Sequence, residues 1–316
     1  MGTPDLVLVA GEALYDLWMD DDDGLRGRAG GGPFNTARTL ARLGRPAAYL
    51  GRLSCDATGR TLERLLADDG VGLECIVRTE DPTTLALAEL GPDGSARYDF
   101  YAAGTAAPGL TAEAALAVLP PAVGTLHVGT LGLLLEPVAT AVEAVVERLA
   151  GTALVVVDPN IRPWAIEDPA AYRQRLDRVL LRSHLVKVSE EDLAWLAPGR
   201  PAPEAARELL ALGPSAVLLT RGGDGTTVLT ADGEAAVPVH PVVVVDTIGA
   251  GDAFSGGFMA WWGARGLGRD ELDDLHLLTE ATRFASLVAA LTCSRAGASP
   301  PRLDELPAAW SEAVAR

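Results

Sequence analysis

Val244-Val245-Asp246-Thr247-Ile248-Gly249-Ala250-Gly251-Asp252-Ala253-Phe254 carries more information than any other stretch of this 316-residue chain. Its β-branched start belongs to an apolar run that predicts a strand over 235–245, feeding a turn of small residues. A helix follows, with Phe254, Phe258 and Trp261 at i, i+4 and i+7. Small residues at a helix start let backbone N–H groups converge on one point, where the helix dipole adds positive potential. Gly249, Ala250 and Gly251 therefore suit a phosphate, or the charge that develops as a phosphoryl group moves. Asp252 lies in the first helical turn. It is either a proton acceptor for a hydroxyl held there or an ordinary carboxylate satisfying the dipole, and spacing alone leaves both readings open. No GxxxxGK[ST] occurs in the chain, and Phe254 takes the third glycine position of a GxGxxG dinucleotide turn.

A second glycine-rich segment, Gly30-Gly31-Gly32-Pro33-Phe34-Asn35, opens a helix whose apolar face is Phe34, Ala37, Leu40, Ala41 and Leu43, with Gly44 as its stop. Gly31 and Gly32 allow a ligand close to the backbone. Asn35 offers a donor and an acceptor to a polyol, or caps the helix. Asp16 follows the first apolar strand, Leu6–Ala10. An α/β sheet binds ligands beyond the carboxyl ends of its strands, so Asp16 reads as a ligand contact or as a solvated loop carboxylate.

From residue 125 onward, strand-like runs (125–128, 153–157, 184–188, 215–219, 226–230) alternate with helical ones (136–149, 169–182, 203–212, 271–291), after an earlier pair at 47–51 and 57–69. That alternation predicts a mostly parallel sheet with crossover helices. Runs at 84–90 and 96–101 flank Gly91-Pro92-Asp93-Gly94, a hairpin signal that points to a separate small sheet.

Hydrophobic residues make up 48% and charged ones 22%, enough for a sizeable core. With 26 Lys and Arg against 43 Asp and Glu, the net charge is −17, which argues against nucleic acid and anionic lipid as partners. Cys55, Cys75 and Cys293 form no CxxC and the four histidines are scattered, so neither a zinc site nor a disulfide framework is expected, and a reducing cytoplasm is. The N-terminus shows no basic leader segment and no apolar run reaches ~20 residues. Asp20 to Asp23 reads as a solvated loop.

Taken together, the two glycine-rich segments resemble the signatures of the PfkB, or ribokinase-like, family of sugar kinases. Asp246 to Phe254 is similar to its C-terminal DTxGAGDxF, and Gly31-Gly32 with Asn35 to its N-terminal motif. Asp158-Pro159-Asn160-Ile161-Arg162-Pro163 resembles the DPNxRP run of the fructokinase-like and 2-keto-3-deoxygluconate kinase-like members, and Thr220-Arg221-Gly222-Gly223-Asp224-Gly225 the family's TxGxxG turn. The likeness runs from Gly11-Glu12 to Pro300-Pro301 and is nearest to the fructokinases.

This resemblance implies one α/β domain over 1–316: a three-layer sandwich with a mostly parallel central sheet and a small β-sheet lid drawn from about 12–30 and 84–104. It implies ATP-dependent phosphorylation of a small sugar, fructose first, with 2-keto-3-deoxygluconate or a nucleoside as alternatives. A non-catalytic sensor is disfavoured because Asp252, Gly249 and Gly251 are all present. Asp252 would be the general base, and the amides of Ala250, Gly251 and Asp252 an anion hole, where losing one donor typically costs about 3 kcal/mol of transition-state stabilisation. Asp16, Gly31, Gly32, Asn35, Arg97 and Arg162 would face the sugar. Lys187, Ser189, Thr220, Gly222 and Gly225 would serve ATP, which arrives with Mg²⁺. Asp246 and the backbone of Ile248, with the loop from Cys293 to Ala298, occupy the family's monovalent-cation position, for which potassium is the candidate. Asp192 stands where the family's NxxE motif has Glu, one methylene shorter, so its metal role and the role of a solvated helix-start carboxylate are both open. Lids of this family often pair, which makes a homodimer an expectation.

Overall fold

A computed structural model describes residues 5–19, 24–90 and 96–314. Its strands are β1 (Val7–Ala10), β2 (Leu14–Met19), β3 (Leu25–Gly30), β4 (Ala47–Ser54), β5 (Ile76–Thr79), β6 (Leu85–Leu90), β7 (Ala96–Tyr101), β8 (Thr125–Gly129), β9 (Leu154–Asp158), β10 (Leu185–Ser189), β11 (Ala216–Thr220), β12 (Thr226–Thr230) and β13 (Gly233–Val237). Its helices are α1 (Gly32–Arg42), α2 (Ala57–Asp69), α3 (Ala112–Ala117), α4 (Val138–Leu149), α5 (Pro169–Leu180), α6 (Glu190–Leu196), α7 (Ala202–Leu210), α8 (Ala250–Ala264), α9 (Leu275–Cys293) and α10 (Ala308–Val314).

The central sheet has nine strands in the order β13-β12-β11-β10-β9-β8-β1-β4-β5. It is parallel from β11 to β5, and β12 and β13 add antiparallel pairs at one edge. Strands such as Val7-Leu8-Val9-Ala10 are apolar throughout because helices cover both faces. Side-chain alternation splits them: Val7 and Val9 pack with Phe34 of α1, Phe258 of α8 and Phe284 of α9, whereas Leu8 and Ala10 pack with Val142 of α4, Leu176 of α5 and Leu209 of α7. The result is the three-layer α/β sandwich expected.

A second sheet has four strands, β3-β2-β6-β7. The hairpin read at 84–101 supplies β6 and β7, and 12–30 supplies β2 and β3. Its apolar anchoring is slight: Leu14 and Ala86 pack against Leu131.

Two expectations differ from the structure. The strand read over 235–245 ends at Val237, and Val243, Val244 and Val245 are 84%, 61% and 62% exposed. Pro238 and Pro241 explain this, since proline cannot donate to a ladder. The helix read from 271 starts at Leu275, capped by Asp274, whose carboxylate accepts from the amides of His276 and Leu277. Strands β2, β3 and β5 and helices α3, α6 and α10 are short and weakly periodic, and were not expected individually. Asp20 to Asp23 and Gly91 to Gly94 lie outside the described residues. Among the described residues no helix is long and apolar enough to cross a membrane.

Candidate active site

Segments at the carboxyl ends of the parallel strands meet the N-termini of α1 and α8. Gly249 precedes α8 with φ 76°, and a Cβ there would lie 2.6 Å from Ala298 Cβ, so the turn needs glycine twice over. The Ala250 amide donates to Thr247 O at 3.2 Å and is thus engaged within the turn. The Gly251 and Asp252 amides donate to no group among the described residues, so two of the three expected anion-hole donors are open.

Asp252 is buried, and its Oδ2 accepts from Asn35 Nδ2 at 2.9 Å. Burial pushes its pKa to about 6. Asn35, Lys187 and Arg162 pull it down, while the charge of Asp158 raises it further. The helix-capping alternative for Asn35 does not hold: Gly31 is the N-cap of α1, and the Asn35 side chain turns to Asp252. Asn35 Oδ1 is buried and has no partner among the described residues.

Behind the α8 turn lies a buried ion pair. Lys187 Nζ sits 2.9 Å from Asp158 Oδ2, which also accepts from Ser255 Oγ at 3.3 Å. The same ammonium lies 3.0 Å from where a Gly251 Cβ would stand. Burial works against the charge on Lys187, but Asp158, Asp192 and Asp252 together hold its pKa above the usual value. Asp158 Oδ1 is buried and has no partner among the described residues.

Asp192 joins two backbone segments. Its Oδ1 accepts from the Ile161 amide at 2.6 Å and its Oδ2 from the Ser189 amide at 2.9 Å, while Ser189 Oγ accepts from the Asp192 amide at 3.0 Å. Asp192 and Ser189 thus form the capping box that starts α6, but Asp192 is buried there and not the solvated carboxylate that the helix-start reading expects. Ser189 and Thr220 are register partners on β10 and β11, and Gly222 and Gly225 form the turn after β11. Gly225, with φ 90°, would place a Cβ 2.4 Å from Val237 O. No described hydrogen bond links this group to Asp252.

Asp16 is mostly buried on β2; burial raises its pKa, and the charges of Arg28 and Arg162 pull it back. Arg162 Nη1 donates to Asn160 O and Oδ1 and to Ile161 O. The Arg97 side chain lies outside the described residues. Asp246 accepts from the Ile248 amide at 3.0 Å and the Gly297 amide at 2.8 Å, and Arg28 Nη1 stands 3.4 Å from its Oδ2. Burial alone would raise the Asp246 pKa, but those partners hold it below the usual value.

Sequence reasoning assigned no role to Glu12, Arg28, Asp158 or Ser255. Glu12 is fully buried, and its carboxyl accepts from the Gly32 amide at 3.2 Å and the Gly132 amide at 2.9 Å. Burial lifts its pKa to about 8 against the pull of those amides. Its one sequence signal is a carboxylate directly after an apolar strand and a glycine.

Comparison with known proteins gives a family match across nearly the whole chain: residues 4–305 match the pfkB family carbohydrate kinases. A fructokinase from Rhizobium leguminosarum bv. trifolii is 36% identical over 259 residues, covering 81% of this chain and 79% of that protein. The crystal structure of a fructokinase with bound ATP from Xylella fastidiosa superposes with a TM-score of 0.84 at 28% identity, covering 93% and 94% of the two chains. The aminoimidazole riboside kinase of Salmonella enterica, complexed with aminoimidazole riboside and an ATP analogue, gives 0.82 at 26% identity, covering 93% and 95%.

Proposed function

Because the chain belongs to the pfkB family of carbohydrate kinases and is a sugar kinase, we propose that it transfers the γ-phosphoryl group of ATP to a hydroxyl of fructose. The observation that carries this reading is the Asp252 carboxylate, held by Asn35 at 2.9 Å beside the open amides of Gly251 and Asp252. A base with a pKa near 6 is mostly ionised at neutral pH and still takes up a proton as the hydroxyl attacks. Gly251 and Asp252 then donate to the charge on the moving phosphoryl group, and the Lys187 ammonium adds positive potential from behind. Asp16, Gly31, Gly32, Asn35 and Arg162 face the sugar; Lys187, Ser189, Thr220, Gly222 and Gly225 face the nucleotide.

A Mg²⁺ ion arriving with ATP would supply countercharge for the phosphate oxygens. Asp158 fits it, since its Oδ1 is a buried oxygen still lacking a partner. The surroundings of Asp246 suit potassium poorly: two amides and the Arg28 guanidinium already use that carboxylate. We therefore assign the countercharge at this loop to Arg28.

The four-stranded sheet closes as a lid that excludes water and so protects ATP from hydrolysis, and it pairs two copies into a homodimer. The three unpaired cysteines suit a reducing cytoplasm.

A coupled ADP-release assay over fructose, other sugars, 2-keto-3-deoxygluconate and nucleosides tests the reading. Fructose should give the highest kcat/KM. A higher value for a sugar acid or a riboside would reassign the substrate.

A further inference from the structure

Thr130, directly after β8, has φ 53°. A β-branched side chain is rarely found there, and such strain persists only where the surroundings enforce it. The enforcement is visible. The Thr130 amide donates to Pro159 O at 3.2 Å, and the Gly132 amide donates to the buried Glu12 carboxyl at 2.9 Å. The other oxygen of Glu12 accepts from the Gly32 amide, so one carboxyl sets the Thr130 loop and the Gly32 loop side by side.

The hydroxyl delivered by this arrangement meets the site. The point where a Gly32 Cβ would stand is 2.5 Å from Thr130 Oγ1 and 3.2 Å from Asp252 Oδ1. Thr130 Oγ1 therefore opens on the same small volume as the carboxylate, and among the described residues it makes no hydrogen bond. Gly32 keeps that volume clear because any side chain there would collide with Thr130.

We propose that Thr130 Oγ1 is a sugar-binding group: it hydrogen-bonds a hydroxyl neighbouring the one that Asp252 deprotonates, and so selects which hydroxyl faces the base. This inference rests on the kinase reading above and adds a specificity-determining residue to it.

Thr130→Val keeps the shape, the branching and the backbone strain but removes the hydroxyl; Thr130→Ser restores it. The fructose KM of Thr130→Val should rise at least tenfold, with the ATP KM and the melting temperature close to wild type, and Thr130→Ser should return the fructose KM to within about threefold of wild type. Thr130→Ala is the second hydroxyl-free variant should Val accumulate poorly. A fructose KM within twofold of wild type in either hydroxyl-free variant overturns the proposal, as does a Ser variant as impaired as Val. Wild-type protein that phosphorylates no sugar would instead overturn the kinase reading on which the proposal stands.

Discussion

Asn35 Nδ2 and Asp252 Oδ2 are 2.9 Å apart, joining the first turns of α1 and α8 across 217 positions of sequence. The same amide leaves Oδ1 buried and unpartnered, available to a hydroxyl donor. One side chain thus orients the Asp252 carboxylate and keeps an acceptor open beside it.

Asn35→Ala should raise the fructose KM more than the ATP KM. It should also move the acidic limb of the pH–rate profile upward, because the Asn35 hydrogen bond lowers the Asp252 pKa. An unmoved limb together with an unchanged fructose KM would reduce Asn35 to a packing residue.

Asp252→Asn should lower kcat by about 10²- to 10⁴-fold while fructose and ATP binding persist, measured by titration calorimetry. In the wild type, kcat/KM for fructose should fall as pH drops through about 6, where the carboxylate takes up its proton. Near-normal turnover by the Asn variant would remove Asp252 as the base.

Glu12 links pH to stability. Its folded pKa, about 8, exceeds the unfolded value, so the folded chain binds more protons. The resulting stability is full below the unfolded pKa near 4.5 and is lost as pH rises through about 8. Glu12→Gln should therefore melt less pH-dependently than wild type between pH 6 and 9. Parallel melting curves for the two proteins across that range would count against this account.

Arg28 should make turnover indifferent to potassium: replacing K⁺ by choline should leave kcat within twofold. Arg28→Met removes the guanidinium beside Asp246 and should create a K⁺ requirement. Strong potassium activation of the wild type would show that Arg28 does not fill that place.

Lys187→Met strands Asp158 with Ser255 as its one donor among the described residues, in a buried site, and should cost about 3–5 kcal/mol in urea unfolding. Lys187→Met with Asp158→Asn should regain part of that loss. An additive double variant would mean that the two residues are not coupled.

Much of this architecture was legible along the chain. The uniformly apolar strands and the alternation after residue 125 announce a parallel sheet covered on both faces, because burial on two sides leaves no polar positions. The four-stranded sheet was half legible. The hairpin signal of the letters Gly91-Pro92-Asp93-Gly94 points to β6 and β7, but Leu25-Arg26-Gly27-Arg28-Ala29-Gly30 has no alternation to read, since it packs little against the core. The valines at 243–245 misled for the converse reason: β-branched residues favour a strand only where a partner strand can reach them, and the prolines at 238 and 241 prevent that.

By itself the sequence determined the glycine turn ahead of α8, the carboxylate in its first turn and the second glycine segment at α1. These are local properties, set by which residues tolerate φ > 0 and which side chains can donate or accept. Only the tertiary structure decided that Asn35 serves Asp252 rather than its own helix, that Asp192 also receives the Ile161 amide, that Arg28 crosses to Asp246 and that Glu12 clamps two loops around Thr130. Each of those pairings depends on distance in space between residues far apart in the chain, and on burial that raises or lowers a proton affinity. No pattern of neighbouring letters encodes either quantity.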